Sequence, residues 1–157
     1  MISKGPAGPF FVGGAEPRLD LVIDTNVVLD MLVFRDPPGL AVQAALVSRR
    51  YRWIACRGMR DELAHVLGRG IGREVDRDAV LAAYDGVVVE VDPPALPGAL
   101  RCTDPDDQVF IDLALQRRAH ALLTRDWALL RLAKRARGFG VAVALPSLLA
   151  QLARSAA

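Results

Sequence analysis

Lysine is almost missing from this chain: Lys4 and Lys134 are the only two. Histidine is as scarce, with His65 and His120 alone, and so is cysteine, with Cys56 and Cys102. Each shortage excludes something. Two distant cysteines in no metal-ligand spacing exclude a disulfide framework and a thiolate zinc site, and leave reduced thiols and a cytoplasmic location as the default. Two histidines exclude a multi-His zinc centre, so any metal must be bound through oxygen. An aspartate-based phosphatase or phosphoreceiver needs a well-placed lysine, and neither Lys4 nor Lys134 sits near a strand end that could use one. No apolar run approaches the roughly 18 residues of a membrane span, so no membrane association is expected. The start has one lysine and no long apolar core, which excludes a signal peptide.

What is present is globular. Apolar residues make up 52% of 157 positions, enough to bury about 70% of the unfolded surface at this length. The net charge is only +2, but all basic residues other than the two lysines are arginine. Arginine pairs bidentately with phosphate, and a GC-rich coding bias gives the same composition. Residues 1–18 carry Gly5, Pro6, Gly8, Pro9, Gly13, Gly14 and Pro17, a flexible leader by composition. Residues 19–157 are expected to form a single domain.

Within it, short apolar runs alternate with helical patterns. Strands are expected at Leu19–Asp24, Arg52–Cys56, Val87–Val91, Ala121–Thr124 and Gly140–Ala144. Between them fall helices at 26–34, 40–50, 59–67, from Asp76 or Asp78 to Tyr84, 104–118 and 127–137, with a terminal one from Pro146. Alternation of this kind implies an α/β fold with a parallel sheet covered by helices on both faces.

The chemistry lies where these elements end. Leu21-Val22-Ile23 stops in Asp24, and Leu122-Leu123-Thr124 is followed by Arg125 and Asp126. Ligands of open parallel sheets bind off the carboxyl ends of the strands. Asp104-Pro105-Asp106-Asp107 opens the long helix, and Glu62 sits early on the helix after the second strand. Asp24 alone could be a helix cap, and Asp before proline at a helix start, as at Asp104, is ordinarily one. Asp107 lies three residues beyond Asp104 on the same side, while Asp106 points about 100° away. The ranking for the third acid is therefore Asp107, then Asp104, then Asp106. Several carboxylates brought together repel one another strongly unless a hard divalent cation such as Mg2+ or Mn2+ lies between them. Such a site hydrolyses phosphodiesters without a Ser, Cys or His nucleophile. Arg131, Lys134 and Arg135 recur on one helical face and would steer a phosphate backbone; a plain solvated face is the alternative. Trp53 and Trp127 read as packing residues.

The ordered set Val22-Ile23-Asp24-Thr25-Asn26-Val27, Arg60-Asp61-Glu62-Leu63, Asp104-Pro105-Asp106-Asp107-Gln108-Val109-Phe110 and Leu122-Leu123-Thr124-Arg125-Asp126 resembles the PIN-domain family. The likeness is to its bacterial branch of predicted toxin components of toxin–antitoxin pairs, and it covers about Leu19 to Leu149. It implies a three-layer fold with a five-stranded parallel sheet in the order 3-2-1-4-5. It also implies Mg2+- or Mn2+-dependent endoribonuclease activity, with Asp24, Glu62, Asp107 and Asp126 at the family's acid positions. Thr25 and Asn26 would shape the pocket by hydrogen bonds, with Thr124. The implied partners are RNA and an antitoxin protein, and a homo-oligomer is left open. A non-catalytic RNA-binding or scaffold module of the same family is the alternative; the presence of all four acids argues against it.

Overall fold

The computed structural model describes residues 17–149 and 151. The expected leader therefore lies, apart from Pro17 and Arg18, outside the described residues, as does most of the terminal helix. Five strands form one sheet: β1 (Leu19–Ile23), β2 (Tyr51–Ala55), β3 (Val89–Glu90), β4 (Ala121–Leu123) and β5 (Ala142–Ala144). All pairings are parallel and the order is β3-β2-β1-β4-β5, the 3-2-1-4-5 arrangement flanked by helices. Leu21, Val22 and Ile23 of β1 are all buried. A strand with a neighbour on each side and helices above and below has no solvent face, which is why these residues run apolar without alternation. Val89 and Glu90 of β3 are exposed. The run Val87–Val91 is thus an edge, and only its second half, from Val89, bonds to β2.

The helices differ from the sequence expectation in instructive ways. α1 (Thr25–Leu29) passes directly into a π-helical turn over Asp30–Phe34. Asp36-Pro37-Pro38-Gly39 does more than interrupt this segment: it starts α2 (Pro37–Val47), with the Asp36 carboxylate accepting from Gly39 N at 2.9 Å. Proline in the first turn loses no hydrogen bond there. Gly39 has a packing reason as well, because a Cβ at that position would overlap the Asp30 carbonyl. α3 (Arg57–Arg69) and α4 (Arg77–Asp85) follow β2. Trp53 and Tyr84 meet edge-to-face at 4.9 Å in the core between β2 and α4, so Trp53 is a packing residue. The expected helix from Asp104 begins as a 3-10 turn over Pro105–Asp107 and continues as α5 (Gln108–Gln116). The expected basic helix is two short ones, α6 (Trp127–Leu130) and α7 (Ala133–Arg137). No helix among the described residues is long and apolar enough to cross a membrane.

Candidate metal centre

β1 and β4 are hydrogen-bonded neighbours, in register from Leu21 with Ala121 to Ile23 with Leu123. The pairing runs one residue further: Asp24 N donates to Leu123 O at 2.9 Å. Asp24 and the segment Thr124-Arg125-Asp126 therefore leave the sheet side by side at its carboxyl end. Asp24 starts α1 through its carbonyl, which accepts from Val27 N and Val28 N, while its side chain caps nothing. The carboxylate instead accepts from Thr124 Oγ1 at 2.7 Å. Thr124, wholly buried, also accepts from Asp126 N at 2.9 Å. One hydroxyl thus fixes both strand ends. Asp126 is both a cap and a member of the acidic group: its Oδ1 accepts from Ala128 N at 2.9 Å.

The third acid arrives from the 3-10 turn that precedes α5. Asp104 caps the 3-10 turn, accepting from Asp106 N at 3.0 Å. The turn then carries Asp107 inward to 7% exposure. Carboxylate oxygens of Asp104, Asp107 and Asp126 lie within 4.8 Å of one another. Asp107 Oδ2 is buried with no hydrogen-bond partner. Burial first, then contact with the Asp126 carboxylate and the charges of Asp24 and Asp104, push Asp107 up to about 8. Burial, with Glu62 and Asp126 adding, raises Asp24 to about 6 against the opposing Thr124 hydrogen bond. Both shifts describe a site that resists negative charge in the absence of a cation.

Glu62 enters from α3, where its Oε2 accepts from Thr25 Oγ1 at 2.9 Å. Burial raises its pKa, as do Asp106 and Asp104, while Thr25 and Arg69 act the other way. Asp106 is exposed and lines a groove of about 390 Å3 with Glu62, His65, Val66 and Arg69. Asn26 is exposed and its side chain makes no hydrogen bond among the described residues. The basic positions Arg131, Lys134 and Arg135 are exposed along α6 and α7.

Two further features lie outside what the sequence pattern leads one to expect. Asp30, buried in the π-helical turn, takes a bidentate pair from Arg125 at 2.7 and 3.1 Å. That pair holds the residue between Thr124 and Asp126. An acid inside the apolar run Val27–Val33 was the available signal, since a buried carboxylate demands a partner. The second is a column on α5. Gln108 contacts Leu100 O and Cys102 N, Asp112 accepts from Gly98 N, and Gln116 pairs with Ala95 N and O. Spaced four residues apart, these three side chains tie down the segment that delivers Asp104. Their signal was the i, i+4, i+8 spacing of polar groups on an otherwise apolar helix.

The sequence matches the family model of the PIN domain over residues 20–128, which includes all four acids. The chain belongs to the PIN domain family. No curated protein matches it by sequence. By structure this PIN domain is similar to the crystal structure of VapBC2 from Rickettsia felis bound to a DNA fragment from their promoter, with a TM-score of 0.57 at 12% identity. The match covers 80% of this chain and 98% of that one. At that identity the likeness is one of fold.

Proposed function

We propose that this PIN domain is a divalent-metal-dependent endoribonuclease and the toxin of a toxin–antitoxin pair. One observation carries the catalytic part: three carboxylates from two elements converge within 4.8 Å, with a buried oxygen of Asp107 left unpartnered. Such a group repels itself when fully charged, and a bound cation offsets that repulsion. The donor set is all oxygen, as Mg2+ and Mn2+ require. Asp107, Asp126 and Asp24 would hold the ion, with Asp104 a further ligand. When bound, the ion supplies Lewis-acid stabilisation of the charge that builds on the scissile phosphate.

The protein's own groups do the rest. Thr124 aims Asp24 and Asp126, and Thr25 aims Glu62, with Asn26 at the rim. Glu62 has its Oε2 tied to Thr25, which leaves Oε1 for the proton of an attacking water. Arg131, Lys134 and Arg135 draw the RNA backbone toward the cluster. The toxin part is supported by the PIN family and by a fold shared with a chain of the VapBC2 complex. It implies an antitoxin protein as partner and a cytoplasmic setting. Purified protein stripped with EDTA should leave single-stranded RNA intact, then cleave it once Mn2+ or Mg2+ is restored, and should leave a phosphomonoester untouched. RNA binding without cleavage at millimolar metal would favour the non-catalytic module instead.

A further inference from the structure

Trp127 is 72% exposed. The sequence suggested a packing residue, and the structure corrects that. An indole so exposed sacrifices the largest apolar burial any side chain offers. Among the described residues it makes no ring contact, cation–π contact or hydrogen bond. Its place is specific. Trp127 directly follows Asp126, whose carboxylate caps the first turn of α6 and belongs to the acidic group. One turn along, Arg131 N donates to Trp127 O at 3.0 Å, so Arg131 lies on the same side, with Lys134 and Arg135 beyond it. Arg125, on the other side of Asp126, is paired with Asp30. Arg131, Lys134 and Arg135 have no acidic partner among the described residues.

We infer that Trp127 is a stacking platform for a nucleobase of single-stranded RNA, beside the phosphate at the acid cluster; this rests on the ribonuclease reading above. Carboxylates, an open aromatic face and unpaired cations follow one another along a few residues. That sequence of chemistries matches the scissile phosphate, a base and the onward backbone of a single strand. Stacking on an aromatic face holds any base, and an adjacent cationic track holds the backbone. The site therefore takes unpaired RNA with little regard to base identity at this position, and rejects duplex, whose bases are not free to stack.

Tryptophan emission tests this directly, in EDTA so that nothing is cleaved. A short single-stranded RNA should quench the parent and leave Trp127→Phe unquenched, because Trp53 is buried. Trp127→Ala should bind that RNA roughly 5- to 100-fold more weakly, Trp127→Phe within a few-fold of the parent, and both should melt like the parent. An abasic backbone of the same length should bind parent and Trp127→Ala alike. Equal affinities for RNA with no quenching would overturn the stacking site, even in a protein that cleaves RNA with Mn2+. Quenching by an acidic peptide and not by RNA would overturn it in favour of a protein partner. Quenching and base-dependent binding in a protein that cleaves nothing would retain the site and sink the ribonuclease reading.

Discussion

Asp126 illustrates how one residue carries two duties with opposed energetics. As a cap it stabilises α6, and as a neighbour of Asp107 it raises the cost of charge in the pocket. Asn caps as well as Asp. Asp126→Asn should therefore keep the helix start while removing repulsion, so the metal-free protein should melt higher. Relief of ~1 kcal/mol would appear as roughly 2–4 °C. The gain should grow between pH 6 and 9, because Asp107 holds its proton below about 8. RNA cleavage should fall by orders of magnitude, and Mn2+ should raise the melting temperature of the variant less than that of the parent. A variant that cleaves RNA at the parental rate would reduce Asp126 to a cap.

The same two residues set the pH dependence of the metal-free fold. Asp24 and Asp107 titrate higher in the folded chain, about 6 and about 8, than an unfolded carboxyl near 3.8. Their contribution to stability is fully present below pH 3.8 and is lost as pH rises through 6 and then 8. Between pH 5 and 8.5 these groups should make the metal-free protein progressively less stable. A divalent ion needs the charged forms, so its stabilising shift should increase over the same range, with proton release measurable by calorimetry in two buffers. A Mn2+ shift that does not change with pH would show that the ion binds elsewhere.

At the scale of elements, the link between β1 and β4 matters most, and Thr124 is its pin. Thr124→Val keeps the shape but removes a donor to Asp24 and an acceptor for Asp126 N. Leaving those buried groups unpaired should cost about 1–3 kcal/mol. It should also lower cleavage, with Thr124→Ser recovering most of both. Asp24 and Asp126 were legible because buried parallel strands are continuous apolar runs, and an acid that closes one stands out. The third acid was legible through Asp104-Pro105, whose cap and first-turn geometry places Asp107 inward. What could not be read was long-range. Nothing local says that Gln108, Asp112 and Gln116 face the 95–102 segment, or that Arg125 reaches Asp30. The interruption of the basic helix between Leu130 and Ala133 escaped as well, since every residue there is a good helix former. Exposure of Trp127 depends on which elements stand near it, which no helical pattern records.

For the molecule as a whole, the sheet order puts the site where it is. With β1 central and β4 beside it, the acids of both strands meet at the carboxyl end, and α3 and α5 close the sides. The π-helical turn and its Asp30–Arg125 pair brace the same end. A second concavity, about 380 Å3 lined by Arg18, Leu46, Trp53 and Val87, lies by the segments that enter the strands and holds no acid. Its walls offer no carboxylate for a hard cation. The central claim is that the carboxyl-end cluster is a metal centre, and anomalous scattering from a crystal soaked in Mn2+ tests it most directly. The expected result is a Mn2+ peak among Asp107, Asp126 and Asp104, within ligand distance of Asp107 Oδ2. No peak at millimolar Mn2+, or a peak only at surface acids such as Asp61 or Asp85, would contradict it.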